Sequence, residues 1–208
     1  MSGTGVPLRE LALVILVAAT FTYLATGLVR SFLVRTGRVA EIRLRDSHSQ
    51  PTPQMGGVAM FTGFGASVFL AAQLPALTRG FMPVTPEMNA VVWAALAIVL
   101  VGVIDDALEL GAIVKLVGQL LAAGIMSGLG LTWTLLFIPF DGGTTVLLDQ
   151  IQGTLLTTFF TVLLINAMNF VDGLDGLAAG LGLIAGGAIL IFSITVLHDQ
   201  GGAVSAYP

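Results

Sequence analysis

Long apolar runs alternate along the chain with short polar clusters, and this alternation predicts the architecture. Six runs are candidates to span a bilayer: Leu11 to Val29, Gly56 to Leu74, Met88 to Ile104, Val114 to Leu131, Gly153 to Met168 and Gly176 to Leu197. Each approaches the ~20 residues that a hydrocarbon core demands of a helix. In lipid the backbone N–H and C=O groups have no water to bond, and barrel strands are far shorter than these runs, so helices are expected. The third and fifth runs lie nearest the short limit and would be the first to tilt or lie at the interface. The expected fold is therefore all-α, a polytopic membrane helix bundle of about six transmembrane helices, with residues 1–208 forming a single integral membrane domain.

Composition agrees with this pattern. The chain is 56% hydrophobic and 10% charged, with a mean hydropathy of +0.97, a combination foreign to soluble domains of this length. Its net charge of -4 says little about partners, because the charges are segregated along the chain. The absence of cysteine excludes disulfides, thiolate metal sites and cysteine nucleophiles. Arginines rather than a cleavage pattern follow the first run, which is expected to be a retained helix.

Charge also sets an expected orientation. Arg30, Arg35, Arg38, Arg43 and Arg45 lie around the first connection, which the positive-inside rule assigns to the cytoplasm, with the amino terminus outside. Alternation then puts the turn Asp105 to Ala112 and the loop Asn169 to Asp175 in the cytoplasm, and Pro75 to Glu87, Pro139 to Gln152 and His198 to Pro208 outside. Within the second external segment, Gly142-Gly143 ahead of a Thr-Thr-Val-Leu-Leu run suggests a short hairpin over Asp141 to Gln152.

Three polar clusters thus share the predicted cytoplasmic face. The first loop, Asp46 to Gly57, carries His48 and two prolines that lead into a glycine-permitted helix start, a setting that suits an anionic group. Its plain alternative is a surface histidine in an ordinary loop. The second cluster joins Asp105, Asp106 and Glu109 to Lys115 and Gln119, which are one helical turn apart. Adjacent carboxylates at a membrane boundary suit Mg2+, which takes one or two carboxylates and completes its shell with water and substrate phosphates. Lys115 would hold a phosphate oxygen as a point charge; the alternative is an acidic helix end followed by a snorkelling lysine. The third cluster is NAMNFVDGLDGLAAG, Asn166 to Gly180, where Asn166, Asn169, Asp172 and Asp175 recur every third residue. These side chains could instead be caps around a glycine turn. None of the six runs contains an acidic residue, which argues against an ion-coupled carrier with mid-bilayer charges. It favours an interfacial enzyme that joins a water-soluble phosphate compound to a lipid phosphate.

PTPQMGG at Pro51 to Gly57, GVIDDALEL at Gly102 to Leu110 with Lys115 and Gln119, and NAMNFVDGLDGLAAG occur in that order. Together they resemble the polyprenyl-phosphate N-acetylhexosamine-1-phosphate transferases, most of all the bacterial branch that uses UDP-N-acetylglucosamine. The resemblance implies transfer of N-acetylglucosamine 1-phosphate to undecaprenyl or decaprenyl phosphate in the bacterial plasma membrane, with release of UMP, at the start of cell-wall or envelope polysaccharide synthesis. It implies Mg2+ as cofactor, with Mn2+ as the substitute. The implied partners are a UDP-sugar, a polyprenyl phosphate lipid, the membrane and a second copy in a homodimer, with no nucleic acid. By the same resemblance Asp105, Asp106, Asp172 and Asp175 are catalytic, Asp105 and Asp106 also bind the metal, and His48, Lys115, Asn166 and Asn169 bind substrate. The alternatives are the branch that uses UDP-N-acetylmuramoyl-pentapeptide and a non-catalytic truncated relative that binds polyprenyl phosphate or a partner. Family members continue through further helices with a G-D-x-G loop and a His-rich loop, so the sequence is expected to be an amino-terminal portion.

Overall fold

A computed structural model describes residues 7–37, 55–80, 85–140, 143–172 and 176–199. In chain order the elements are α1 (Leu8–Arg35), α2 (Gly56–Gln73), α3 (Pro75–Gly80), α4 (Pro86–Leu108), α5 (Ala112–Gly128), β1 (Leu135–Ile138), β2 (Thr144–Leu147), α6 (Gln150–Val171) and α7 (Leu177–Asp199). Every apolar run is a helix. Five of these helices are long and apolar enough to cross a membrane, and α5 is a shorter apolar helix. The chain is thus an all-α, multi-pass membrane protein with one small β-hairpin.

Helix ends differ from the expectation in an instructive way. α4 and α6 are not short, at 23 and 22 residues, whereas α5 has only 17. An apolar run stops at the first charge, but helical hydrogen bonding continues past it. Asp105 and Asp106 therefore lie on the last turns of α4 rather than in a turn, and Asn169 lies within α6 rather than in a loop. Local chemistry sets the starts. Thr85 caps α4 by accepting the Met88 N–H at 3.1 Å, with Pro86 in the first turn. Asp149 and Gln152 form a reciprocal capping box at the start of α6, with bonds of 2.7 and 3.1 Å. The connection between α2 and α4, the expected external segment, contains α3.

α1 packs on α2, α2 on α4, α4 on α5 and α5 on α6, while α7 packs sparsely against α6. The buried apolar residues are mostly small, Ala59, Ala90, Ala122 and Ala123 with Leu33 and Leu77. Lipid supplies no hydrophobic drive between helices, so close backbone approach and van der Waals contact must hold them together. Two glycines mark close helix–helix approaches. A Cβ on Gly63 would overlap the Thr22 hydroxyl and lie 2.7 Å from the Ala18 carbonyl oxygen of α1, and one on Gly118 would lie 2.7 and 2.8 Å from the Val101 methyls of α4. Large side chains point outward instead, as with Phe170, which is 90% exposed.

The hairpin exists, but its first strand lies upstream of the expected segment. β1 pairs antiparallel with β2, Leu135 opposite Leu147 and Ile138 opposite Thr144, and Gly143 adopts φ 82° in the turn between them.

The glycine contacts generate a test. Gly63→Val is expected to destabilise the bundle by about 1–3 kcal/mol through overpacking. Gly65→Ala on the same helix, with nothing within 4 Å of its Cβ, should be neutral or stabilising by up to about 1 kcal/mol. Thermal unfolding in detergent reads both, and equal melting temperatures would show that α1 and α2 do not meet at Gly63.

Candidate active site

The turn from α4 to α5 is built on Asp105. Its carbonyl accepts the Glu109 N–H at 2.8 Å, and its Oδ1 accepts the Leu110 N–H at 3.0 Å. Glu109 reverses the chain in the left-handed region at φ 48°, and Gly111 caps α5. The other carboxylate oxygen, Oδ2, lies 2.8 Å from Lys115 Nζ. One aspartate therefore ends a helix and aims a lysine from the next. With side chains 27% and 39% exposed, such a pair contributes only ~0–1 kcal/mol to stability; its larger effect is on where Lys115 points.

Asp106, one position on, faces a different neighbour. Its Oδ2 accepts the Met55 N–H at 2.7 Å. Met55 precedes α2 in the left-handed conformation, φ 67° and ψ 24°, at a cost of about 1–2 kcal/mol for a residue with a Cβ. The strain is offset by a charge-assisted bond at a helix amino terminus, where the dipole favours an anion. Beneath this bond a cavity of about 220 Å³ is lined by residues that include Met55, Val58, Gly102, Val103 and Asp106.

A third tie joins α5 to α6. Gln119 is buried, 7% exposed, and exchanges two amide bonds with Asn166: Asn166 Nδ2 donates to Gln119 Oε1 at 2.6 Å and Gln119 Nε2 to Asn166 Oδ1 at 3.4 Å. Asn166 Nδ2 also donates to the Val162 carbonyl at 2.8 Å. At the other end of the pair, the Trp133 N–H beyond α5 donates to Thr157 Oγ1 at 2.9 Å, so α5 and α6 run antiparallel. From the amide pair, four residues back along α5 reaches Lys115 and three on along α6 reaches Asn169, steps of about 6 and 4.5 Å in one direction. Lys115, Asn169 and Asp172 therefore stand at the same end of the bundle as Asp105 and Asp106.

Of the residues anticipated, Asp105, Asp106 and Lys115 come together and Asn166 joins them through Gln119. Asn169 is exposed on the last turn of α6, and Asp172 is the exposed cap residue, its N–H bonded to the Met168 carbonyl at 3.0 Å. His48 and Asp175 lie outside the described residues. Among the described residues no three of His, Cys, Asp or Glu gather as a metal cage. Asp172 takes the C-cap position of α6 through its backbone N–H, and Asp105 is an acidic helix end followed by a lysine, but neither plain alternative requires the Met55 bond to Asp106. Sequence reasoning named Gln119 but missed two contacts, its pairing with Asn166 and the bond from Met55 to Asp106. Gln119 carried a signal, since a buried amide in an apolar run needs a mate. The Met55 N–H carried none, because a backbone donor leaves no mark in a side-chain pattern.

Comparison with known proteins places this geometry. The chain is 56% identical over 207 residues to a decaprenyl-phosphate N-acetylglucosaminephosphotransferase of Mycolicibacterium smegmatis, covering 100% of this chain and 51% of the relative. It is 55% identical over 206 residues to the protein of that name in Mycobacterium tuberculosis, with 99% and 51% covered. A phospho-N-acetylmuramoyl-pentapeptide-transferase of Nocardia farcinica is 31% identical over 206 residues, with 88% and 57% covered. The chain spans about half the length of the curated relatives it matches. No solved structure matches it. Residues 88–206, from the start of α4 through both later motifs, match the family described as glycosyl transferase family 4, and the chain belongs to that family.

Proposed function

We propose that the polar end of the bundle is part of a cytoplasmic site that transfers N-acetylglucosamine 1-phosphate from UDP-N-acetylglucosamine to a polyprenyl phosphate, releasing UMP. The observation that carries this reading is the joining of three separate motifs toward one end of the helix bundle. Met55 is tied to Asp106, Asp105 to Lys115 and Gln119 to Asn166. The names of the relatives at 54–56% identity support N-acetylglucosamine and a decaprenyl carrier over the muramoyl-pentapeptide branch, whose relatives lie at 29–34%. Arg30 and Arg35, on the last turns of α1, support a cytoplasmic orientation for this end in the plasma membrane.

In the proposed reaction an oxygen of the lipid phosphate forms a bond to the sugar-bearing phosphorus of the UDP-sugar. The bond from that phosphorus to the bridging oxygen breaks, and UMP leaves with the electron pair. The obstacle is the approach of one phosphate anion to another. Lys115, oriented by Asp105, neutralises phosphate oxygens, while Asn169 and Asp172 at the end of α6 bind the nucleotide or sugar side. A carboxylate of the Asp105–Asp106 pair accepts the proton that the lipid phosphate carries.

The donor set fits Mg2+, or Mn2+ in its place. Lys115 and the Leu110 N–H engage the two oxygens of Asp105, and the Met55 N–H engages one of Asp106. Asp106 Oδ1 is left with no donor among the described residues, in a direction set by the bond at Oδ2. Asp106 would hold the ion first, with Asp105 beside it. The bound ion would neutralise diphosphate charge as a Lewis acid, and water and substrate phosphates would complete its shell.

Membranes from cells making the full-length protein should release UMP from UDP-N-acetylglucosamine when supplied with Mg2+ and decaprenyl phosphate. A folded protein that gives no UMP would instead be a non-catalytic relative. Asp106→Asn and Asp172→Asn are each expected to lower turnover by roughly 10²–10⁴-fold while membrane insertion is retained, and undiminished turnover in both would reject the assignment. A double-mutant cycle of Gln119→Leu and Asn166→Leu, read by thermal unfolding in detergent, should give a coupling of about 1 kcal/mol. Additive effects would mean that the amide pair does not set the register of α5 against α6.

A further inference from the structure

The opposite end of the bundle carries an apolar surface that the helices alone do not account for. The apolar part of α5, from Leu116 to its end at Gly128, is about 20 Å long at 1.5 Å per residue. A hydrocarbon core is about 30 Å thick, so the chain leaves α5 while still at membrane depth. The residues that follow, Leu129 to Phe140, contain no charge and include Trp133, Phe137 and Phe140.

α6 provides a second ruler for the same region. The Trp133 N–H bonds to Thr157 Oγ1, its ring packs on Phe160 with centroids 4.9 Å apart, and its carbonyl rests on Gly153, where a Cβ would collide. Trp133 is thereby fixed beside the first two turns of α6. The polar start of α6, with Asp149, Gln150 and Gln152, extends past it toward water. The hairpin follows Trp133 between these levels.

Its register separates two faces. The pairs Leu135–Leu147 and Phe137–Thr145 place Leu135, Phe137 and Leu147 on one face with Thr145, and Leu136, Ile138, Val146 and Thr144 on the other. Leu135, Phe137 and Leu147 are 60%, 63% and 76% exposed, with Phe140 beyond them at 76%, against 37% for Ile138 and Val146. The Phe137 ring also lies against Gly143, where a Cβ would approach it to 2.9 Å, so the aromatic closes the turn that presents it. Leu129 just past α5 and Ile151 and Leu155 near the start of α6 are exposed apolar side chains as well.

We infer that the hairpin is a membrane anchor. It lies in the headgroup–acyl boundary on the side opposite Asp105, with Leu135, Phe137, Phe140 and Leu147 turned into lipid. A deeper seat is excluded because the outer edges of a two-stranded ribbon carry unpaired N–H and C=O groups that hydrocarbon cannot satisfy. A seat in water would leave the aromatic and aliphatic face hydrated, while the boundary layer accommodates both edges and face. The anchor also makes good the short length of α5, holding its depth and with it the level of Lys115 and Gln119 on the other side of the membrane.

Residues 1–208 contain no cysteine, so the test uses the full-length protein, with any cysteine outside these residues replaced by serine, in phosphatidylethanolamine–phosphatidylglycerol vesicles. Leu135→Cys, Leu147→Cys and, on the other face, Thr144→Cys are labelled singly with an NBD fluorophore. Retained melting temperature shows that each variant folds. Probes at 135 and 147 should emit at shorter wavelength than the probe at 144. They should also be quenched more by lipids carrying a shallow doxyl group than by those with a deep one, and resist aqueous iodide. Equal iodide quenching at all three sites would overturn the anchor. So would a blue shift at 135 and 147 without doxyl quenching, because a second copy of the chain or another protein would then be covering the face.

Discussion

A polar group at the edge of hydrocarbon has to find its partner within the protein, and the site end of this bundle is arranged by that requirement. Asp105 has a lysine and a backbone N–H, Asp106 has a backbone N–H, and the amides of Gln119 and Asn166 have each other. In water each of these contacts would be weak and replaceable. At a membrane boundary the cost of leaving one partner bare exceeds the gain from the bond itself, so each contact fixes geometry more strongly than its modest energy suggests. Ser127, in the far half of α5, is the exception among the described buried side chains, its hydroxyl having no partner.

α5 transmits this geometry. Its buried positions are Gly118, Gln119, Ala122, Ala123 and Ser127, small or amide-bearing residues that let α4 approach on one side and α6 on the other. Gly118 admits the Val101 methyls and Gln119 meets Asn166. The residue that allows close packing on α4 is thus the sequence neighbour of the residue that sets register on α6. Lys115 sits one turn before both. A shift of α5 against either neighbour would move the lysine, which is why a packing residue and a hydrogen-bonding residue bear on one charge.

The helices were legible because an apolar run of bilayer length leaves the backbone no alternative to helix. Their ends were less so. Hydropathy marks the part of a helix that lipid surrounds, whereas the helix continues until capping or chain reversal stops it. Asp105, Asp106 and Asn169 accordingly look like loop residues in sequence and are helical in structure. That Asp105, Asp106, Lys115 and Asn166 lie toward one end of the bundle could be read from their positions along the apolar runs. The site's connections could not. Only the fold determines whether a carboxylate meets a backbone N–H 51 residues away in Met55 or the nearby lysine, and adjacent aspartates on one helix point to different neighbours. The hairpin's turn was legible from its glycines, but β1 was hidden inside an uninterrupted apolar stretch where strand, turn and helix end look alike.

The two ends of the bundle solve opposite problems with one helix. On the proposed reading, the site end must admit a soluble nucleotide and a lipid phosphate at one level, so its charges belong at helix ends and not at mid-membrane. Carboxylates placed there can keep their charge while water remains within reach, and a lysine at the same height can meet both phosphates. That height is set along α5, which is too short to span the hydrocarbon by itself. Whatever holds its far end therefore also holds the lysine. Trp133, wedged against Gly153 and Phe160, ties the chain just beyond α5 to α6, while Gln119 ties the middle of α5 to the same helix through Asn166. A helix tied to one partner at its middle and just beyond its far end cannot slide along it without breaking a tie, and the height of Lys115 relative to α6 follows from that pair of constraints.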